Sequence, residues 1–488
     1  MTRITMLVPY VPVGERVVER MFGCNYDLYP MPNIFVLYAS SMLESAGFEV
    51  SYIDAPLDGW TEEQFRNFIR DDSSSAYVVY SVLLAKRLDM DAHKLIRQIK
   101  PDIPMVYAGP APTDDPAFFL HDENSYVVRG EPELTLVDLM KLIANVSGKP
   151  GKDQVLSIPG ISILSDGQVQ NSPSGGVIEN LDALPHPARH LVDSSKYFSP
   201  KLGTSPVTEM ITSRGCNARC IYCVPCSLSF ARELEYKKTH DRKPPVRMRS
   251  EENVIEEIDL IAKDGIKGVS IIDDQFLWGE KRTAAIANAF KRHNIAWGCL
   301  ARADMVTEPI AKILSKTNCK YIDLGVESFN PAILEYIQKG VSVEQTENAI
   351  RMLKKHGVFV KANILLGSSP LETRETVKQT VKRAIELGID SIMVGSTNPF
   401  PGTQFYELAK KNGWFIKGDY YPSDPQREWV IEYPNFSRQD MDEMLRWANR
   451  KFFFRFGFFV RQIYRLKNPV DFVKTVRTFY KKVGWIWQ

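Results

Sequence analysis

The chain has 488 residues, 44% hydrophobic and 25% charged, with a formal net charge of +2. That length predicts two to four domains of ordinary globular composition, and the near-zero charge excludes a global field for nucleic acid. No apolar run reaches the ~18 residues that span a bilayer, no secretory leader is expected, and seven cysteines fit a reducing cytoplasm.

Residues 1–145 alternate short apolar runs with helical patterns. Strands are predicted over residues 4–8, 49–53, 76–81, 104–108 and 126–129, and helices over 34–46, 90–100 and 132–143. The alternation predicts an α/β domain with a doubly wound parallel sheet. Such sheets bind ligands outside the carboxyl ends of their strands, at the point where strand order reverses. The chain reaches that edge at Ser81 to Ala85, at Gly109-Pro110-Ala111 and at Gly130-Glu131. Small residues there let a broad, flat ligand come close to the backbone. Residues 146–200 read as a linker, with a polar turn at 147–153, a small hairpin within 155–169 and a proline-stiffened connector at 181–189.

A second series occupies residues 201–415. Strands are predicted over 208–212, 269–272, 295–299, 321–324, 358–366 and 391–394, each but the first preceded by a helix. Six βα units predict a partial (β/α)6 barrel whose active residues sit at the carboxyl ends of its strands. Residues 416–488 are expected to be a helical C-terminal region rich in basic and aromatic residues. Within 446–488, eleven Lys or Arg face one acidic residue, Asp471, among interleaved Phe, Tyr and Trp. Such a segment suits packing over the barrel or contact with a membrane interface.

The loop after the strand at 208–212 carries the most informative motif. Cys216, Cys220 and Cys223 are spaced C-x3-C-x2-C, with Tyr222 just before the third. Three thiolates this close can ligate three irons of a [4Fe–4S] cube and leave the fourth open. A structural zinc site would want a fourth ligand, which Cys226 could supply. Cys24, Cys299 and Cys319 are isolated and read as small buried hydrophobes.

The cysteine run resembles the radical SAM superfamily, whose open iron takes the amino and carboxylate groups of S-adenosylmethionine (SAM). Met31-Pro32-Asn33, residues 43–50, Ile53-Asp54, Ala108-Gly109-Pro110 and residues 128–133 look like the cobalamin-binding domain of class B radical SAM enzymes. The resemblance implies that Cys216, Cys220 and Cys223 are the catalytic cluster ligands. It implies SAM contacts from Asp273 or Asp274 to the methionine amino group, and from Glu327 and Ser328 in Gly325-Val326-Glu327-Ser328. Arg302 would pair with the methionine carboxylate, Gly367 would back the adenine, and Tyr222 would lie beside it. Ser81, Gly109, Pro110, Gly130 and Glu131 would hold cobalamin. Asp91-Ala92-His93 imitates a cobalt-ligating motif, but Ile96 stands where its glycine belongs, so His93 is expected to be a surface helix residue. Cobalamin would then have no protein histidine on its lower face.

The activity so implied is a cobalamin-dependent radical SAM methyltransferase acting on an unactivated carbon through a 5′-deoxyadenosyl radical. The alternative is an enzyme of the same architecture that cyclises, rearranges or couples its substrate without methylation. An external one-electron reductant such as flavodoxin or ferredoxin would be needed. The tail resembles those of class members acting on hopanoid lipids and tetrapyrroles, which implies an apolar substrate and peripheral contact at the inner membrane face, with no nucleic acid.

Overall fold

The apolar runs of the first 145 residues become five parallel strands. They are β1 (Arg3–Val8), β2 (Glu49–Asp54), β3 (Ala76–Tyr80), β4 (Met105–Ala108) and β5 (Ser125–Val128). The computed structural model describes residues 2–22, 26, 30–146, 148–416 and 428–455. It divides into two units, Met1–Lys196 with Pro225–Arg249, and Tyr197–Val224 with Ser250–Gln488.

In the first unit the sheet runs β2-β1-β3-β4-β5 and continues antiparallel through β6 (Ile161–Ser165) and β7 (Gln168–Asn171). The hairpin expected within the linker is therefore the edge of this sheet. The strand order reverses beside β1, which pairs with both β2 and β3. Strands β3, β4 and β5 are buried along their whole length, as a parallel sheet covered on both faces requires. The covering helices are α1 (Ile34–Ser45), α2 (Glu62–Asp71), α3 (Lys86–Ile99), the short α4 (Pro110–Asp114), α5 (Pro132–Asn145), the short α6 (Lys152–Leu156) and α7 (Ser227–His240). Helix α1 begins where the Asn33 side chain accepts the Phe35 and Val36 N–H groups, satisfying donors that the first turn leaves free. Helices α2, α4, α6 and α7 were not anticipated.

One expectation is corrected here. His93 is buried on α3 rather than exposed. Its Nδ1 lies 2.7 Å from the Tyr107 hydroxyl and its Nε2 3.2 Å from Asp122. Both ring nitrogens are engaged inside the domain.

The second unit is an open six-stranded parallel sheet of β8 (Val207–Met210), β9 (Gly268–Ile271), β10 (Ala296–Arg302), β11 (Cys319–Glu327), β12 (Val360–Leu366) and β13 (Ser391–Ser396). The strands lie side by side in chain order, the partial barrel that the six βα units predict. Between them run α8 (Glu251–Lys263), α9 (Glu280–Arg292), α10 (Glu308–Lys316), α11 (Pro331–Tyr336), α12 (Val343–Lys355) and α13 (Arg374–Glu386), followed by α14 (Gln404–Lys411) and α15 (Arg438–Phe453). Trp297 anchors the core. It is fully buried, stacks on Phe290 at 5.4 Å and donates from Nε1 to the Thr317 carbonyl at 2.6 Å. Burying a side chain of that size is worth about 5 kcal/mol.

Among the described residues no helix is long and apolar enough to cross a membrane. Most of the basic, aromatic tail, residues 456–488, lies outside the described residues, as does Cys24.

Candidate functional site

The carboxyl end of β8 launches the cysteine loop, and two aspartates hold that launch. Asp273, at the end of β9, is buried; it accepts the Thr212 N–H at 2.6 Å, the Thr212 hydroxyl at 2.6 Å and the Ser213 hydroxyl at 2.7 Å. Burial pushes its carboxyl up to about 6 against these stabilising donors. Asp274 accepts the Gly215 N–H at 2.9 Å, one residue before Cys216. Trp278 Nε1 adds a bond to the Ser213 hydroxyl at 3.0 Å. Both carboxylates expected to meet a methionine ammonium are thus engaged with the backbone that aims the cysteines.

Cys216, Cys220 and Cys223 follow, each half-buried and outside any disulfide. The Cys223 N–H donates to the Cys220 carbonyl at 3.3 Å, and the Ala218 N–H points at Cys216 Sγ at 3.5 Å. Burial pushes the Cys216 thiol above its ordinary range. Among the described residues no three His, Cys, Asp or Glu converge on a single ion. Three thiols spread along one loop suit a cluster, in which each iron takes one of them, better than zinc, which needs all its ligands at one point. An open cleft of about 570 Å³ adjoins the loop, lined by Asn217, Arg219, Arg302, Asp304, Glu335 and Lys339 among others.

Arg302 ends β10 with one guanidinium nitrogen 4.0 Å from Cys220 Sγ. Asp304 grips it at 3.0 and 3.1 Å, and the Lys339 carbonyl accepts from it at 3.0 Å. Glu327 ends β11 in a left-handed conformation, φ +62°, and its Oε1 meets Lys339 Nζ at 2.7 Å in a buried pair. Tyr222, on the cysteine loop, is raised well above its ordinary range by burial and by the facing Glu327 carboxylate. Cys220, Arg302, Lys339, Glu327 and Tyr222 therefore form one connected group beside the loop. Lys339 was missed; it sits past the short helix α11 and nothing in its local sequence marks it.

Other expected residues lie apart from this group. Ser328 faces Thr380 at 3.3 Å and accepts the Asn330 N–H in a turn. Gly367 has φ +74°, and a Cβ there would lie 2.9 Å from the Trp429 ring. Its N–H donates to the buried Glu372, and its carbonyl accepts the Tyr433 hydroxyl at 2.8 Å. Cys299 is buried as expected, Cys319 half-buried, and Cys226 is the buried cap of α7.

In the first unit the carboxyl edge of the sheet has its own constellation. The Ser81 hydroxyl is buried without a hydrogen-bond partner. Gly109 has φ +105°, and a Cβ there would lie 2.4 Å from the Ser81 carbonyl, so only glycine fits the turn into Pro110 and α4. Helix α7 lies over the neighbouring part of this edge. The Ser227 hydroxyl lies 3.1 Å from the Tyr80 hydroxyl and donates to the Arg20 carbonyl at 2.8 Å, while Lys238 donates to the Thr113 carbonyl at 2.8 Å. Glu235 pairs with Arg129 at 3.2 Å, both buried, and its Cβ sits 3.3 Å from where a Gly130 Cβ would stand. Glu131 takes a bidentate Arg247 and the Ile178 N–H.

Residues 210–378 match the family model of the radical SAM superfamily, and residues 27–140 match that of the B12 binding domain. The chain is a radical SAM enzyme with a B12-binding domain. This radical SAM enzyme is 27% identical over 470 residues to an uncharacterised methyltransferase of Pyrococcus horikoshii, covering 95% of each chain. It is 24% identical over 472 residues to cytidylyl-2-hydroxyethylphosphonate methyltransferase of Streptomyces wedmorensis, covering 85% of each. Among solved structures, the cobalamin-dependent SAM radical enzyme OxsB, with aqua-cobalamin and SAM bound, shares the fold. Its TM-score is 0.70 at 16% identity, covering 99% of this chain and 71% of that one. The domains imply a [4Fe–4S] cluster, SAM and cobalamin. The three thiols fit the cluster. For cobalamin, the unpartnered Ser81 hydroxyl and the side-chain-free Gly109 turn fit a flat polar ligand, whereas Gly130 and Glu131 face protein groups.

Proposed function

We propose that this chain is a cobalamin-dependent radical SAM methyltransferase acting on an unactivated carbon of an apolar substrate. One observation carries the reading: the three-cysteine loop leaves the carboxyl end of a parallel strand in a chain that also holds a B12-binding domain. When bound, the cluster supplies one electron to SAM, and cobalamin supplies a transferable methyl group.

The chain's own residues do the rest. Cys216, Cys220 and Cys223 hold the cluster, and Asp273 and Asp274 fix the backbone from which they project. Glu327 offers acceptors for SAM's amine and ribose hydroxyls, and Tyr222 steadies that carboxylate. Arg302 lays a cation against Cys220 at the cleft wall, where SAM's carboxylate can meet it. Gly367 closes the far side with its backbone. Ser81, Gly109 and Pro110 seat cobalamin on the first unit's strand ends. An external one-electron reductant such as flavodoxin or ferredoxin completes the cycle.

The apolar class of the substrate and a cytoplasmic location at the inner membrane face rest on the composition of the 446–488 tail. The test is anaerobic production with cobalamin supplied, then incubation with methyl-labelled SAM, a reductant and a total lipid extract. Label appearing as a carbon-bound methyl in an apolar product supports the reading. Label confined to polar products overturns the substrate class, and an unlabelled, cyclised product overturns methyl transfer.

A further inference from the structure

Strand β12 separates the two faces of the partial barrel. Val360, Ala362, Ile364 and Leu366 are buried in the helix-covered core, whereas the alternate residues Lys361, Asn363 and Leu365 are only half-buried. Paired residues of parallel strands share a face, so the register carries this inner face across the sheet. Lys361 pairs with Asp323 of β11, and Asn363 pairs with the half-buried Met393 of β13. A closed barrel fills its interior with layers of packed side chains. This open one keeps its inner face accessible.

Three charges meet there. Asp323, only 5% exposed, accepts from Lys201 Nζ at 2.6 Å on Oδ2, and Lys361 Nζ stands 3.2 Å from its Oδ1. Burial would raise the Asp323 carboxyl, but the two lysines hold it below its ordinary range, so it is ionised. One carboxylate thus serves two ammonium groups. Glu209, also on this face by register, is four strands from Lys361. Lys201 is held in place, with its Nζ 4.9 Å over the Tyr321 ring. Lys361 makes the longer contact and keeps 17% exposure. A lysine is a point charge on a flexible four-carbon stem with three donors, so it can turn to a ligand. Buried ion clusters give a fold little stability, and two like charges on one carboxylate also repel each other. An anion brought to Lys361 restores one acid per cation.

The place suits a substrate. Asp323 precedes the strand end at Glu327 by four residues, about 13 Å by the rise of a strand. The cysteine loop leaves β8 at that same carboxyl end of the parallel sheet. On the rows between, Met393 and Leu365 give the wall an apolar surface. The inner face therefore runs from a cationic end, along an apolar wall, to the cysteines.

We propose that Lys361, with Lys201 behind it, binds a carboxylate or phosphate at one end of the substrate, and that the substrate's apolar body runs from there past Met393 and Leu365 towards the cysteine loop. This rests on the reading of the substrate as apolar and gives it an acidic end.

The test uses the full-length protein with its cluster reconstituted anaerobically and SAM present, without reductant. Equilibrium binding of octyl phosphate, octanoate, octanol, inorganic phosphate and acetate is measured by calorimetry. The wild type should bind at least one octyl acid about tenfold more tightly than octanol, the worth of one charge-assisted hydrogen bond. The tighter of the two acids identifies the group. K361M leaves Asp323 paired with Lys201; it should lose the preference and keep its octanol affinity, while K361R should keep most of the preference. K361A carries the test if K361M does not fold. No preference for either acid in the wild type, or an undiminished one in the neutral variant, overturns the proposal. If inorganic phosphate or acetate binds as tightly as its octyl form and K361M weakens it, the acid site stands and the apolar substrate class fails. If the three octyl compounds bind alike in both proteins, the apolar class stands and the role of Lys361 fails.

Discussion

Asp273 gives both carboxylate oxygens to the strand end that carries the cysteines: Oδ1 takes the Thr212 N–H at 2.6 Å, and Oδ2 takes the Thr212 hydroxyl at 2.6 Å and the Ser213 hydroxyl at 2.7 Å. In Asp273→Asn the amide nitrogen must replace one acceptor in front of these donors. The expected cost is about 1–3 kcal/mol, read as a lower melting temperature. Iron retained after reconstitution should fall with it. Wild-type iron content in a destabilised D273N would show that the brace serves the fold and not the cluster loop.

Glu372 makes stability depend on pH. Burial raises its carboxyl from the ordinary 4.5 to about 8, against the bonds it accepts from Gly367 and Ser368. The folded state then holds a proton that the unfolded chain has released. Its stabilising contribution is full below about 4.5 and is lost as pH rises towards about 8. Within that window the slope is on the order of 1.4 kcal/mol per pH unit. Glu372→Gln should flatten this part of the melting-temperature profile, and parallel wild-type and E372Q profiles would contradict the assignment.

Glu235→Ala removes the buried partner of Arg129 and leaves that guanidinium with the Ser162 hydroxyl and the Ser172 carbonyl. Breaking a buried pair in this way costs about 3–5 kcal/mol. Hydrogen exchange should quicken across residues 227–240, because α7 loses a main tie to the first unit's sheet. Unchanged protection there would mean that Ser227 and Lys238 hold the helix by themselves.

Gly109→Ala should strike the cobalamin edge selectively. Its Cβ would enter the Ser81 carbonyl at 2.4 Å, in a backbone conformation that alanine resists. Corrinoid copurifying with the protein should drop severalfold, while iron stays at the wild-type level. Equal loss of iron and corrinoid would show a general unfolding.

What could be read in advance followed from burial. Strands such as β3 and β4 are sunk on both faces and so appear as unbroken apolar runs. Helix α7 did not, because Arg232, Glu233 and Glu235 are buried in it and look like solvent-facing charges until their partners are known. Helix α2 buries only Phe65 and Ile69 of ten residues, too sparse a stripe to register. His93 failed in the same way as α7, since its partners Tyr107 and Asp122 come from other elements. At the site, the three cysteines were legible because their spacing is local. The work of Asp273 and the existence of the Glu327–Lys339 pair were not, since each depends on how separate strand ends meet.

The central claim is that Cys216, Cys220 and Cys223 carry a cluster that opens SAM. The most direct measurement needs no knowledge of the substrate: the reconstituted protein is reduced anaerobically with SAM, and 5′-deoxyadenosine is quantified by mass spectrometry. The wild type should form it, while a variant with all three cysteines replaced by Ala should bind no cluster and form none. Equal 5′-deoxyadenosine from both proteins, or a full iron complement in the triple variant, would contradict the account.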